Sequence, residues 1–327
     1  MIISRTPFRI SFFGGGTDYP DWYLENGGSV LATSIDKYCW IFCRRLPPFF
    51  EHRLRVVYSN IELCRHVDEI QHPAVRETLR FLNFTDGVEI HHNGDLPARS
   101  GMGSSSSFTV GLLHALYALQ GAAPDARQLA LESIHIEQEM IRETVGSQDQ
   151  FCVALGGLNR IVFHPSGGID VLPLSLTDSR KTELNDHLML FYTGIRRTAS
   201  DVAGSYVKTL KYKNDLMVQM NDMVEQGIRI LTDGGDITRF GHLLHESWMT
   251  KRELSPQISN PAIDELYRLS RANGAIGGKI VGAGGGGFLL LFVPPGHRAI
   301  ISERLAHLIN VPFCFESEGS RIIFQNV

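Results

Sequence analysis

The chain has 327 residues, of which 43% are apolar and 20% charged, and its formal net charge is −4. That length suits two domains of ordinary size, and the balance excludes a disordered or collagen-like chain. Slight net acidity argues against binding nucleic acid by broad phosphate neutralisation, and no apolar run approaches the ~20 residues of a membrane span.

Met1-Ile2-Ile3-Ser4-Arg5 runs straight into a strand-like pattern, without the basic and apolar regions of a signal peptide. Ile2 to Phe13 reads as a strand broken by Pro7. Ser29 to Leu46 reads as a hairpin or meander, and Arg53 to Tyr58 as a third β region. Ala74 to Phe81 is helical and Gly87 to His92 a strand. Ser104 to Leu119 shows a helical apolar face, Asp125 to Glu143 predicts a second helix, and Phe151 to Gly156 a short third one. Leu158 to Phe163 and Ile169 to Leu174 are strand-like around a Pro-Ser-Gly-Gly turn. Beyond Leu176 come a strand (His187 to Tyr192), a long helical stretch (Ser200 to Leu231) and helices over Ile237 to Lys251 and Pro261 to Asn273. Lys279 to Val293 is a strand interrupted by glycines, Arg298 to Ile309 a helix, and Pro312 to Glu316 and Arg321 to Phe324 short strands. Runs of strands and helices, without strict alternation, predict an α+β fold. The change of character places a boundary near residue 180, dividing the chain into 1–180 and 181–327. Five cysteines, at 39, 43, 64, 152 and 314, are odd in number and scattered, so free thiols in a cytoplasmic protein are expected.

Three glycine-rich segments carry the chemistry: Phe12 to Tyr19, Asp95 to Ser107, and Lys279 to Phe288. In the second, a strand gives way to Pro97, Gly101 and Gly103, and Ser104 to Ser107 open a helix. A helix N-terminus offers unpaired N–H groups to an anion, and glycines let backbone approach a phosphate closely. Serine hydroxyls cap the helix or ligate Mg²⁺. No Gly-Lys-Ser/Thr triplet follows, so this is not a Walker loop. Nor is the third glycine of the dinucleotide fingerprint present. Asp149, in Gly146-Ser147-Gln148-Asp149-Gln150, reads either as a helix cap or as a carboxylate placed to orient or deprotonate a hydroxyl. Asp18, taken alone, is a turn aspartate.

Together, the segments resemble the GHMP small-molecule kinases over essentially the whole chain. Pro97-x3-Gly101-Met102-Gly103-Ser104-Ser105 resembles the family phosphate loop. Thr6-Pro7-Phe8-Arg9-Ile10 resembles the N-terminal motif, and Gly282-Ala283-Gly284-Gly285-Gly286-Gly287 the C-terminal one. Arg9 to Pro20, Ser104 to Leu113, Tyr192-Thr193-Gly194-Ile195-Arg196-Arg197 and Asn260-Pro261-x-Ile263-Asp264 are most similar to the D-glycero-D-manno-heptose 7-phosphate kinases. Fucokinases, arabinokinases and galactokinases resemble it too. A non-catalytic sugar and nucleotide sensor is the rival reading.

The resemblance implies a two-domain fold, ATP and Mg²⁺ as cofactors and a sugar phosphate as acceptor, with no nucleic-acid or membrane partner. It implies catalytic roles for Asp149 and Arg9, and ATP-phosphate contacts at Pro97, Gly101, Gly103, Ser104, Ser105 and Ser106. Ser105 and Glu137 are the implied metal ligands, with Ser104 and Glu139 as competitors. Gly15, Gly16, Thr17, Asp18, Arg197, Gly284 and Gly285 are the implied acceptor contacts. Gly15 and Gly16 stand where galactokinases carry Glu and His, which fits a larger sugar. Lys208, Lys211, Lys213, Lys251 and Arg252 read as a solvated helix face.

Overall fold

The structure, a computed structural model, describes residues 1–195 and 199–326. Two long strands organise its first half. β1 (Ile2–Phe13) is followed by a short helix, α1 (Pro20–Asn26), and by β2 (Gly28–Arg45). They pair antiparallel, with Arg9 opposite Ser34 and Ile10 opposite Thr33. The expected break at Pro7 and hairpin within 29–46 are both absent. Pro7 sits beside a register shift in the pairing, where a residue without an N–H is tolerated. β2 remains one strand because it serves three partners along its other edge, the shortest pairing being at Ser34 and Ile35. Gly28 to Thr33 pair with one strand, and Cys39 to Arg45 with another.

The chain continues through β3 (Leu54–Val57), β4 (Ile61–Cys64), α2 (Pro73–Phe81), β5 (Val88–Gly94), α3 (Ser104–Leu119), α4 (Ala126–His135), α5 (Gln148–Leu155), β6 (Leu158–Phe163) and β7 (Ile169–Pro173). The second half adds α6 (Asp178–Asp186), β8 (Leu188–Tyr192), α7 (Ala199–Gly204), α8 (Asn214–Thr232), α9 (Thr238–Arg252), α10 (Pro261–Ala272), β9 (Gly277–Ile280), β10 (Phe288–Phe292), α11 (Arg298–Arg304), β11 (Ile309–Asn310), β12 (Phe315–Glu316) and β13 (Arg321–Gln325).

A nine-stranded sheet follows the order β13-β1-β2-β5-β3-β4, with β6, β7 and β12 attached through β2. A four-stranded sheet runs β11-β8-β10-β9. The result is a two-domain arrangement of mixed helices and sheets. Residue 180 itself lies inside α6, and β12 and β13 return to the large sheet. We therefore propose the two-part division as a division between sheets, with the segment from Phe315 belonging to the first.

α3 is buried along most of its length, held between β1 and β2 on one side and α4 and α5 on the other. Its apolar residues Phe108, Leu112 and Leu116 enter the large core, while Val110 and Leu113 enter the smaller one beneath α5. The long helix expected over 200–231 is three pieces: α7, a 3-10 turn over Val207–Tyr212, and α8. The second interruption comes at Lys213, whose backbone leaves helical φ/ψ and whose ammonium donates to the carbonyls of Glu253 and Leu254. Among the described residues no helix is long and apolar enough to cross a membrane. Cys39, Cys43, Cys64 and Cys152 are buried and unbridged, and Cys314 is exposed.

Candidate active site

The loop between β5 and α3 is shaped by its backbone. Gly101 and Gly103 adopt φ of 83° and 76°, in the left-handed region. Gly103 is the N-cap of α3 and brings no side chain to cap it. The first turn of a 16-residue helix therefore keeps orphan N–H donors and its positive dipole end, which is an anion site in waiting. Pro97 is half-buried at the start of the loop. Ser104 Oγ accepts from the Arg99 N–H at 3.3 Å, and Ser105 is exposed. Ser106 turns inward.

Arg9 links this loop to the chemistry. On β1, its N–H donates to the Met102 carbonyl at 3.0 Å, and its Nη1 to the Gly101 carbonyl at 2.7 Å. Its Nε and Nη2 each donate to Asp149 at 2.7 Å, one to each carboxylate oxygen. This two-point geometry holds a carboxylate plane in a fixed orientation. Asp149 lies in the first turn of α5, not in an open loop. Its side chain keeps 23% exposure while Arg9 keeps 5%. Asp149 pushes the guanidinium pKa upward against the effect of burial.

Asp18 forms the other wall. Its Oδ1 accepts from the Gly16 N–H at 2.9 Å, and its Oδ2 from Gln148 Nε2 at 2.8 Å. Burial, with Asp149 nearby, raises its pKa. Gly146 is obligatory here, because a methyl group at that position would lie 1.8 Å from Asp18 Oδ2. Thr17, expected as an acceptor contact, is fully buried. Its hydroxyl proton lies within reach of the carbonyls of Gly14 and Ser29 and its oxygen accepts the Ser29 N–H, so it braces the turn.

Glu137 also departs from regular helix. α4 stops at His135, and a π turn covers Ile136–Met140. Such turns are frequent at functional sites. This one buries Glu137 completely while Glu139 stays exposed. Glu137 Oε2 accepts from Ser106 Oγ at 3.0 Å and Gln150 Nε2 at 2.6 Å. Its Oε1 is buried without a partner. Burial pushes its pKa up to about 7. A buried carboxylate oxygen without a donor, next to a serine and the anion end of α3, suits a divalent cation. Among the described residues no group of three or more His, Cys, Asp and Glu could form a metal cage. A cation here would be shared with the ligand's own oxygens, as Mg²⁺ often is. The hydroxyl the structure brings to Glu137 is that of Ser106, rather than the expected Ser105.

The second half contributes residues that the sequence analysis assigned differently. Lys251 is buried, not solvated, and its Nζ donates to the Gly282 carbonyl at 2.8 Å. Leu244, Ser247 and Trp248 are buried on the same helical spacing, which is the sequence signal that places Lys251 inward. Lys279 is also buried. Its Nζ donates to the carbonyls of Ser11 and Phe12, tying β9 to the end of β1. Burial, with Lys251 and Arg9 nearby, drives its pKa well below the usual lysine value. Arg252 pairs with Asp264 at 2.8 Å.

Gly284 and Gly285, expected as acceptor contacts, pack against the backbone of Ile258. A methyl on Gly284 would lie 2.8 Å from the Ile258 carbonyl, to which the Gly285 N–H donates at 2.7 Å. The third glycine loop thus packs backbone against backbone, and its Gly282 abuts Gly101 of the loop between β5 and α3. Arg197, with Arg196 and Thr198, lies outside the described residues.

Two family models match the chain. One described as the GHMP kinases N terminal domain covers residues 69–157, and one described as GHMP kinases C terminal covers residues 227–310. A D-glycero-alpha-D-manno-heptose 7-phosphate kinase from Campylobacter jejuni is 27% identical over 310 residues, spanning 90% of each chain. The crystal structure of a D-glycero-D-manno-heptose 1-phosphate kinase from Bacteriodes thetaiotaomicron superposes with a TM-score of 0.81 at 20% identity, over 100% of both chains. A Lactococcus lactis galactokinase complexed with galactose superposes with a TM-score of 0.74 at 17% identity, over 98% of this chain and 94% of that one.

Proposed function

We propose, from the premise that this chain belongs to the GHMP kinase family and is an ATP-dependent carbohydrate kinase, that its acceptor is D-glycero-D-manno-heptose 7-phosphate. The product would be the 1,7-bisphosphate, formed at the anomeric hydroxyl in the cytoplasm, on a route to nucleotide-activated heptose for surface polysaccharide. One observation carries the catalytic reading: the Arg9–Asp149 clamp stands directly beside the uncapped N-terminus of α3. The relative from Campylobacter jejuni supports the acceptor.

The residues then divide the work. The orphan N–H groups at Ser104, Ser105 and Ser106, with the loop of Gly101 and Gly103, hold the triphosphate. Arg9 fixes Asp149 so that one carboxylate oxygen faces the acceptor hydroxyl and takes its proton as the oxygen attacks the γ-phosphorus. The bond from the γ-phosphorus to the bridging oxygen breaks and ADP leaves. Glu137 with Ser106 or Ser105 would hold a Mg²⁺ ion, which would supply charge neutralisation on the phosphate oxygens. Asp18 holds the Gly14-Gly15-Gly16 turn and Gln148 against the acceptor. Arg197 remains our proposed ligand for the acceptor's own phosphate, on sequence grounds.

The test is product identification. Incubating the protein with ATP, Mg²⁺ and heptose 7-phosphate, then analysing by phosphorus NMR and mass spectrometry, should show a bisphosphate with the new ester on C1. A new ester elsewhere on the sugar would refute the anomeric assignment.

A further inference from the structure

The three glycines at 14–16 are glycine for different reasons. Gly14 has φ of 81°, and a methyl there would lie 2.0 Å from the Ser29 carbonyl. Gly16 has φ of 126°, where side chains are strained. Gly15 is under neither constraint, as its φ lies outside the left-handed region and its added methyl would make only ordinary contacts. What its missing side chain leaves is a space ringed by polar atoms. From the position of that methyl, Lys251 Nζ is 3.6 Å away, Gln148 Nε2 3.8 Å and Ser11 Oγ 3.8 Å.

Two of these side chains are unsatisfied. Ser11 is 4% exposed and its Oγ has no partner. Gln148 is 8% exposed; its Nε2 is engaged by Asp18, and its Oε1 has no partner. Buried polar atoms without partners are rare and call for an occupant. We propose that Ser11, Gln148 and Lys251 form an acceptor subsite that Gly15 keeps open, and that it grips neighbouring hydroxyls of a polyol.

The mixture of donors and acceptors selects the ligand class. A hydroxyl both donates and accepts, so it can satisfy Ser11 and Gln148 Oε1 while accepting from Lys251. A phosphate oxygen cannot donate to Gln148 Oε1, and the Asp18 carboxylate bonded to the same amide would repel it. Lys251 comes from α9, in the second half of the chain, whereas Ser11, Gly15 and Gln148 belong to the first. The subsite therefore joins the two halves around the acceptor. It rests on the sugar-kinase reading above and extends it to residues outside the three glycine motifs.

Three variants of the full chain test it: Gly15→Ala, Lys251→Met and Ser11→Ala, assayed by ADP release and by calorimetric titration with heptose 7-phosphate. Gly15→Ala fits the backbone, so its melting temperature should match wild type. Lys251→Met should raise the acceptor KM ~10–100-fold, and Ser11→Ala by ~2–10-fold, as expected for charged and neutral hydrogen bonds. Gly15→Ala should raise it by roughly the Lys251→Met factor, and the KM for ATP should stay within about twofold throughout. An unchanged acceptor KM in both Gly15→Ala and Lys251→Met would overturn the subsite. So would a fall in kcat at constant acceptor KM in Lys251→Met, which would put Lys251 on the transferring phosphoryl group. Absence of turnover in wild type with any sugar would instead sink the kinase reading. Titration would still judge the subsite, since equal sugar affinity in wild type and Gly15→Ala would refute it.

Discussion

Replacing Arg9 by Met removes the clamp while keeping most of the buried stem. Three side-chain bonds are lost, two to Asp149 and one to the Gly101 carbonyl. Breaking a buried charged pair by deleting one partner costs about 3–5 kcal/mol. Asp149 retains 23% exposure and is partly rehydrated, so the lower end applies, about 3 kcal/mol. At roughly 2–4 °C per kcal/mol for a chain somewhat smaller than this one, the melting temperature should fall by about 6–12 °C. Turnover should fall by at least ~10², because a proton acceptor without its orienting partner loses the benefit of positioning. Asp149→Asn should lose as much turnover while keeping nucleotide affinity. The double variant is decisive for stability. Once Arg9 is gone, the Asp149→Asn change removes a charge left in want of a partner, so the paired change should cost less than the sum of the single ones by at least ~1 kcal/mol. Differential scanning calorimetry and ADP-release kinetics on the four proteins read both quantities. Additive losses of stability, or wild-type turnover in Arg9→Met, would refute the clamp.

The metal reading makes two more predictions. Ser106→Ala should raise the Mg²⁺ concentration needed for half-maximal rate more than Ser105→Ala does, since only Ser106 reaches Glu137; the reverse order in a Mg²⁺ titration would restore Ser105. Burial lifts Glu137 from its ordinary 4.5 to about 7, so in that window the folded, metal-free protein holds the proton that the unfolded chain has released. Its contribution is complete below about pH 4.5 and is lost as the pH rises through 7, with a magnitude of a few kcal/mol at most. Glu137→Gln should remove that decline in a denaturant series between pH 5 and 8, and a variant with the wild-type pH slope would contradict the assignment.

Much of the frame was legible in the sequence because it is local. Apolar spacing marked α3, and glycines with serines after β5 marked the loop that turns into its N-terminus. What failed was what distant packing decides. β2 looked like a hairpin because its length is sustained by three different partners, β6, β12 and β5, in turn along one edge. The helical pattern of 200–231 continued through Lys213, yet capture of its ammonium by two carbonyls across from α9 marks the point where α8 begins anew. The resemblance singled out Glu137 with Glu139 as competitor, but the helix expected over 125–143 hid the π turn that sets Glu137 inward and Glu139 outward. Lys251 was lost among neighbouring lysines because charge suggested solvent, whereas its spacing from Leu244, Ser247 and Trp248 pointed inward. Ser11, Gln148 and Lys279 lie within or beside motif stretches, but nothing in the sequence assigned any of them a role of its own. Only the meeting of β1, α5 and β9 reveals them.

The most direct test of the central claim is a comparison of kcat/KM, at saturating ATP and Mg²⁺, across heptose 7-phosphate, the same heptose without its phosphate, galactose, fucose, arabinose and mevalonate. The account predicts heptose 7-phosphate first, with the dephosphorylated sugar lower by about one decade or more, the worth of a charge-assisted hydrogen bond to the phosphate. A preference for an unphosphorylated hexose, or for mevalonate, would contradict it.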